Sequence, residues 1–312
     1  MRKINAFTLI ELLVVIAIIG ILSALIIVGM SSTTQKATIA KAQVFSNSLR
    51  NSLMDDLVSE WKFDDASSGS SIAAVDSWSG NNSGTLTNFN FDTTDGWRTG
   101  TNCISNNCLA FDGGNDYVNI GDPASGNLDF GVGDFSVEAW VYYTGSTAIN
   151  NIYGFLTKSA GDSSPGYWMG FTTYSGNGAN LKLLSSITNG TWGSGNIENG
   201  SFFSPSTWQY IVLTRYGTTL KHYRNGVSDG QGTKAGVGAN VDNAVSQNIG
   251  RYGSAYFTGL IDIVREYSGT IPTSQIQQNY FAGINKLFAK SIITASEYNQ
   301  RISDLSNNYA KQ

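Results

Sequence analysis

The sequence predicts a mainly β protein, in which a long N-terminal transmembrane α-helix precedes an antiparallel β-sandwich of the jelly-roll type and a short C-terminal helical tail. Three observations predict this class. An unbroken apolar run extends from Leu12 to Met30. Only 13% of the residues are charged, whereas Gly accounts for 35 of 312 and the aromatic residues for 12%, which is typical of loop-rich β proteins. Finally, short alternating segments separated by turn residues fill the stretch 59–271.

The apolar run is long enough to cross a membrane. As a helix it would span about 28 Å, close to the thickness of a bilayer core. Arg2 and Lys3 precede it, and one carboxylate, Glu11, lies at its boundary. Because a charge at that position is costly, Glu11 is predicted to have a function. A secretory signal peptide or a plain membrane anchor is the alternative, although the apolar region of a signal peptide is shorter.

The segment Ala6-Phe7-Thr8-Leu9-Ile10-Glu11 resembles the processing site of type IV prepilins and of the pseudopilins of type II secretion. The resemblance implies a leader at 1–6 that a prepilin peptidase removes between Ala6 and Phe7, methylation of the new N-terminus at Phe7, and a role for Glu11 in assembly. The family usually has Gly before the cut. With Ala6 in its place, we expect cleavage at lower efficiency.

The helix is predicted to continue beyond the membrane to residue 58. Apolar residues recur at helical spacing and give this half an amphipathic stripe; they are Ile39, Ala42, Phe45, Leu49, Leu53 and Leu57. In pilins the two halves form one long helix. We therefore expect one pilin-type helix over 7–58, whose outer half packs on the globular part.

Residues 59–271 carry the strand pattern. Residues 135–142 alternate strictly, which predicts a half-buried strand, and Asn225-Gly226 is a strong hairpin signal. Six fragments in order resemble the laminin-G-like, concanavalin A-like jelly roll, whose fold is two antiparallel sheets packed face to face; they are WKFDD, DSWSGNNSGTL, AFDGGNDYVNIG, FSVEAWV, STWQYIVLTR with HYRNGV, and GLIDIVREY.

The two cysteines, Cys103 and Cys108, lie five positions apart. A structural zinc site needs about four ligands, and the chain has no other Cys and only one His. If the globular part lies outside the membrane, a local disulfide is favoured over two reduced thiols.

The resemblance also implies that the domain can bind calcium, sugars or proteins. Calcium takes six to eight oxygen ligands. Asp76, Asn81 and Asn82 share one turn-rich loop, the family pattern places Asp262 near it, and Asp64 is a further candidate ligand. We expect any ion there to hold loops together. The alternative is that these residues simply cap turns.

Sugar binding requires an exposed aromatic ring. Trp192 lies in a Gly-rich loop and is the first candidate, followed by Trp97 and Tyr174. Trp140 and Trp208 lie within predicted strands, and we expect them in the core.

The sequence does not predict an enzyme. Hydrolases of this architecture carry the pattern E-x-D-x-E on one strand, whereas Glu138 has no acidic residue two or four positions later. Asp262 and Glu266 are too far apart along a strand for paired carboxylate chemistry, and Arg265 is predicted to be a solvated charge. His222 is the only histidine. A net charge of −4 argues against nucleic-acid binding.

The tail, 272–312, returns to helical spacing. Its first helix has an apolar face of Ile276, Tyr280, Ile284 and Leu287. Thr294 and Glu297 form a capping-box pattern that opens a second helix, whose apolar face consists of Tyr298, Ile302, Leu305 and Tyr309. The hairpin is expected to pack on the sandwich or on the long N-terminal helix.

Together these features predict a type IV pilin-like filament subunit, of the minor kind because its head is bulky, that displays a lectin-like head for adhesion. The expected partners are other pilin subunits, the prepilin peptidase, the inner membrane before assembly, and a carbohydrate or surface protein. The basic leader places the N-terminus in the cytoplasm and the head outside. The alternatives are a type II secretion pseudopilin with a structural role only, and a membrane-anchored binding protein that never assembles.

Overall fold

The computed structural model describes residues 56–65, 72–100, 102–145, 152–161, 164–173, 181–191, 195–233 and 236–309. All of them belong to one compact unit, Ser52–Gln312. The predicted leader and residues 7–55 of the predicted N-terminal helix lie outside the described residues. Within the described ranges, no helix has the length and hydropathy that a membrane span needs.

The described chain is mainly β, as predicted, and ends in two helices, α1 and α2. The strands are β1 Leu57–Trp61, β2 Ala73–Ala74, β3 Gly84–Thr87, β4 Gly96–Thr99, β5 Asn107–Asp112, β6 Tyr117–Gly121, β7 Phe135–Tyr143, β8 Ile152–Lys158, β9 Pro165–Thr172, β10 Lys182–Asn189, β11 Asn196–Phe202, β12 Trp208–Tyr216, β13 Thr219–Arg224, β14 Val227–Thr233, β15 Gln247–Ile249, β16 Arg251–Tyr252, β17 Ala255–Tyr256 and β18 Thr258–Tyr267. The helices are α1 Thr273–Ala289 and α2 Ala295–Tyr309.

Two antiparallel sheets form the sandwich. The first has the order β14-β13-β12-β7-β18-β5-β4, and β1 also pairs with β18. The second has the order β11-β10-β9-β8-β15-β6-β3-β2. Side chains from both sheets share one buried apolar cluster, so the sheets pack face to face around a common core.

The predicted helical stripe is wrong at its last position. Leu57 lies in β1, where it is buried, and it pairs with Tyr267 of β18. Its spacing of four from Leu53 fits a helix, but pairing with the last strand decides its conformation. The sandwich therefore begins at residue 57, two residues before the predicted boundary.

Strand β7 is buried on both faces, although its alternation predicted a half-buried strand. Its inward residues, such as Val137 and Val141, join the core between the sheets. Its outward residues include Glu138 and Trp140, which are also buried. The second layer that covers them is the C-terminal tail.

Helix α1 packs on this outer face of the first sheet. All four residues of its predicted apolar face are buried. The ring of Tyr280 stacks on that of Trp140, with centroids 5.8 Å apart. Gly283 allows this close approach, because a Cβ at its position would lie 2.0 Å from the Trp140 ring. The tail was expected to pack on the sandwich or on the N-terminal helix, and the structure shows α1 packed on the sandwich.

Helix α2 begins at the predicted cap. The Oγ1 of Thr294 accepts a hydrogen bond of 3.1 Å from the Glu297 amide. Tyr298, Ile302 and Leu305 are partly buried against the same outer-face cluster as α1. The apolar spacing of the tail therefore predicted both helices and the faces that they bury.

Strand β18 contains a bulge that changes which side chains share a face. Ile263 has a φ of +50°, which is unusual for a β-branched residue, and the pairing with β7 shifts between Asp262 and Arg265. Asp262 therefore lies on the outer side, where it contacts Ser105, whereas Glu266 contacts Tyr167 between the sheets. The bulge separates two carboxylates that a regular strand would place on one face.

Glu266 is an acid buried in the apolar core. It is fully buried and accepts hydrogen bonds from Gln247 Nε2 (2.8 Å) and the Tyr167 hydroxyl (3.3 Å). Burial raises its pKa to about 8, although both hydrogen bonds oppose that shift. The folded protein therefore binds this proton more tightly than the unfolded chain does.

We predict that the free energy of unfolding of the head falls as the pH rises from about 4.5 to 8. Protonated Glu266 contributes to that free energy below this interval, and the contribution is lost across it. In Glu266→Gln the side chain cannot ionise, so this part of the decline should disappear. Thermal unfolding of the full-length protein in detergent at pH 5 to 9 measures it. Asp304→Asn, an exposed substitution on α2, is the control; equal pH slopes in both variants would contradict the prediction.

Candidate functional site

The predicted disulfide is present. Cys103 and Cys108 are joined with an S–S distance of 2.08 Å. Lys290, which follows α1, donates hydrogen bonds to the carbonyls of Gly100, Cys103 and Ser105. The small disulfide loop is therefore fastened to the end of the first tail helix.

Asn102, just before this loop, and Lys290 line a depression on the outer face of the first sheet, which we call the outer-face groove. The groove consists of two adjoining cavities of about 490 Å³ each. Tyr142 of β7 and Leu260 of β18 pair across the sheet and line both cavities. The remaining lining residues are Asn102, Ser206, Thr207, Trp208, Lys290, Ser291, Ile292, Ile293 and Glu297 in the first cavity, and Thr93, Thr94, Arg98, Ala110, Phe111, Asp112, Thr144, Thr258 and Gly259 in the second.

The groove combines an accessible aromatic ring with many hydroxyl groups. The Tyr142 ring is partly exposed and lies 5.7 Å from the Trp208 ring. Trp208 itself is fixed, because its Nε1 donates to the Asn102 carbonyl at 2.9 Å. Threonine hydroxyls surround the second cavity. A ring face beside fixed polar groups suits a sugar, which is apolar on its faces and hydroxylated at its edges.

Sequence reasoning did not select Tyr142. It lies at an outward position of a strand, and the tail covers the earlier outward positions of that strand but leaves this one accessible. The signal that could have identified Tyr142 is an aromatic residue at an outward position near a strand end, which the tail helices do not cover.

The predicted sugar-binding aromatics have different outcomes. Trp192 and Tyr174 lie outside the described residues. The prediction that Trp97 is an exposed platform is wrong, because its side chain is only 9% exposed and belongs to the core between the sheets. Trp140 and Trp208 are buried as expected, but they lie on the outer face of the first sheet.

The predicted calcium ligands do not come together. Asp76 accepts four hydrogen bonds within its own loop, from the amides of Trp78, Ser79 and Asn82 and from the Ser79 hydroxyl, and a fifth from the Glu60 amide of β1. Asn81 is exposed, whereas Asn82 is buried and donates to Ser59. Protein donors thus surround the Asp76 carboxylate, and its role here is to organise the turn.

The other two predicted ligands lie beside Ser105. Asp262 accepts hydrogen bonds from the Ser105 amide and hydroxyl, and Asp64 accepts one from the Asn107 amide. Burial and the nearby Asp64 charge raise the pKa of Asp262 to about 7. Among the described residues, Asp64, Asp76 and Asp262 form no shared carboxylate group, so the five predicted ligands do not fit one calcium site.

The prediction that Arg265 is a solvated charge is wrong. Its Nε lies 2.7 Å from a carboxylate oxygen of Glu60, and its Nη1 contacts Glu138. Both carboxylates are almost completely buried. Burial would raise the pKa of Glu60, but the Arg265 charge and hydrogen bonds from Arg265 and Lys62 outweigh it and lower that pKa to about 2. Arg265 therefore neutralises two buried acids.

His222 is not placed for catalysis. It is fully buried, and burial lowers its pKa to about 3, so the ring is neutral. Neither ring nitrogen has a hydrogen-bond partner among the described residues. A base that orients a nucleophile needs such a partner.

One carboxylate group in the described part of the chain has the spacing of metal ligands. Asp95, Asp112 and Asp116 each place an oxygen within 4.8 Å of those of the other two. None of the three belongs to the predicted calcium set. They lie in a loop, at a strand end and in a tight turn, so their proximity arises only from the fold.

Two family models match the sequence. The first, described as the concanavalin A-like lectin/glucanases superfamily, matches residues 112–277, just over half of the chain. The second, the prokaryotic N-terminal methylation motif, matches residues 1–27. No curated protein matches the sequence significantly.

Two solved structures that are similar to this chain illustrate the comparison. The binding domain of Paraclostridial Mosquitocidal Protein 1 is 15% identical, with a TM-score of 0.53 over 75% of this chain and 53% of that one. Domain 4 of AbnA, an extracellular arabinanase from Geobacillus stearothermophilus, is 21% identical, with a TM-score of 0.49 over 71% of this chain and 97% of that one. The chain matches only about half of the mosquitocidal binding domain. At 15% identity, the likeness to the mosquitocidal binding domain shows a shared fold.

Proposed function

The chain belongs to the concanavalin A-like lectin/glucanases superfamily, and from this and its N-terminal methylation motif we propose that it is a pilin-like surface protein whose head binds carbohydrate. The outer-face groove is the observation that carries the binding part of this proposal. It presents the partly exposed Tyr142 ring among hydroxyl groups. Such a site binds by stacking on a sugar ring and by hydrogen bonds to its hydroxyls.

The head acts by binding and not by hydrolysis. A glycosidase needs two carboxyl groups that reach the substrate from opposite sides. Glu138 and Glu60 share one partner, Arg265, on the outer face. Both are at most 1% exposed, and Glu138 also accepts hydrogen bonds from Asn279 of α1. A substrate cannot reach them while α1 is in place.

The N-terminal segment supports membrane insertion and filament assembly. A prepilin peptidase would cleave between Ala6 and Phe7 and methylate Phe7, and the apolar run would hold the subunit in the inner membrane with its head outside. In the filament, Glu11 would neutralise the free amine of a neighbouring subunit, which offsets the cost of burying either charge alone. The bulk of the head favours a minor subunit over the repeated shaft.

We predict that Tyr142→Ala weakens saccharide binding about tenfold or more, a loss of about 1.4 kcal/mol, because it removes the ring face on which the sugar stacks. Tyr142→Phe should retain most of the affinity. A glycan array selects the oligosaccharide, and calorimetry with the full-length protein in detergent measures the affinity.

Tyr216→Ala is the matched control, since Tyr216 is 70% exposed and does not line the groove. Equal losses in Tyr142→Ala and Tyr216→Ala would place binding elsewhere. Absence of any saccharide that binds the wild-type protein would refute carbohydrate recognition.

We predict that Glu11→Ala leaves cleavage and methylation largely intact but lowers the amount of subunit in sheared surface filaments about tenfold, because the buried amine then lacks its partner. Immunoblots of sheared and membrane fractions measure assembly, and mass spectrometry of the N-terminus measures processing. Thr8→Ala is the control.

Normal assembly of Glu11→Ala would show that Glu11 has no role in subunit pairing. A wild-type head confined beneath the cell surface would favour a pseudopilin. Met1 or Arg2 retained in the mature protein would favour a membrane-anchored protein that does not assemble.

A further inference from the structure

Asp95, Asp112 and Asp116 meet where the ends of the two sheets converge. Asp95 precedes β4 and Asp112 ends β5, and these neighbouring strands belong to the first sheet. Asp116 precedes β6 of the second sheet. The tight turn between β5 and β6 requires Gly113, whose φ is +82° and at which a Cβ would lie 2.0 Å from Thr258 Oγ1.

In the part of the chain that the structure describes, the three carboxylates have no positive partner. Asp95 and Asp116 are fully buried, and Asp112 is exposed. Among the described residues, no Lys or Arg forms an ion pair with any of the three. Arg98 lies on β4, and its guanidinium donates instead to main-chain carbonyls of the loop that precedes this strand. Like charges at this separation repel one another strongly in a buried setting.

A second observation points to a missing ligand. Oδ2 of Asp116 accepts a hydrogen bond of 2.9 Å from the Asp112 amide, but its buried Oδ1 has no hydrogen-bond partner among the described residues. Asp95 differs, because its two oxygens accept from the amides of Asn90 and Phe91 and from the Asn90 side chain. An unpaired buried carboxylate oxygen is costly and calls for a proton or a cation.

We propose that Asp95, Asp112 and Asp116 bind a hard divalent cation of the calcium class. Three carboxylates without His or Cys provide the oxygen ligands that such an ion prefers. The exposed Asp112 leaves the remaining coordination positions to water. The cation neutralises the repulsion and gives the buried Oδ1 of Asp116 a partner.

The ion would join the loop before β4 to the turn before β6. Thr93, Thr94 and Asp112 from these segments also line the outer-face groove. The cation therefore fixes one rim of the groove, although its binding does not depend on the groove binding a saccharide.

The test uses full-length protein in detergent, stripped with chelator and titrated with calcium chloride at pH 7.5, with sodium chloride of equal ionic strength as the reference. We expect calcium to raise the melting temperature by about 3–8 °C at millimolar concentration. Calorimetry should give one site per chain.

Asp116→Asn and Asp112→Asn should each abolish this response. Asp116→Asn is isosteric and reduces the repulsion, so without metal it should melt no lower than the wild-type protein, which separates loss of binding from loss of folding. Asp92→Asn is the control, because Asp92 is exposed in the same loop and lies outside the group; it should keep the response.

Two outcomes would overturn the proposal. The first is a wild-type protein that responds to calcium no more than to sodium, which would mean that a shared proton is sufficient to stabilise the group. The second is a calcium response that survives in Asp116→Asn but is lost in Asp76→Asn, which would move the site to the loop predicted from the sequence.

Discussion

The ion pairs of Arg265 are the constraint on which the outer face of the head depends. The guanidinium of Arg265, on β18, bonds to Glu60 on β1 and Glu138 on β7. Glu138 also accepts from the hydroxyls of Tyr210 and Tyr267 and from Asn279 of α1. One buried charge thus joins three strands of a sheet to the helix that covers them.

The cost of burying charges explains why this cluster must be complete. Removing one partner from a buried ion pair costs about 3–5 kcal/mol, because the remaining charge has no compensation. Here Arg265 bonds to both carboxylates; Glu60 has a second cation in Lys62, 3.0 Å away, so Glu138 depends on Arg265 more than Glu60 does. With the charges satisfied, α1 can pack its apolar face over the sheet, and Gly283 can approach Trp140. The tail then covers one part of the sheet and leaves the groove at Tyr142 accessible.

The sequence predicted what depends on local pattern. Alternation identified the β7 segment, the spacing of Ile276 and Tyr280 identified the face of α1, and Thr294 identified the start of α2. The two cysteines pair as their closeness in sequence favoured. Each of these features is set by residues within a few positions of one another.

What the sequence could not predict depends on contacts between distant segments. Arg265 and Glu138 are 127 positions apart, and no local pattern distinguishes their pairing from solvated charges. Because of the bulge at Ile263, the Glu266 side chain lies on the opposite side of the sheet from where a regular strand would place it. Trp97 has the polar neighbours of an exposed ring, yet pairing of β4 with β5 buries it. The group of Asp95, Asp112 and Asp116 also exists only after the two sheets have met.

The proposed saccharide site lies on the outer face of the first sheet. Hydrogen–deuterium exchange of the full-length protein, with and without the best-binding oligosaccharide from an array, tests it most directly. If the saccharide binds in the outer-face groove, we expect slower exchange on binding in peptides that cover 93–98, 142–144, 258–260 and 290–293. Slower exchange confined to the loop at 189–195, with those four segments unchanged, would contradict it.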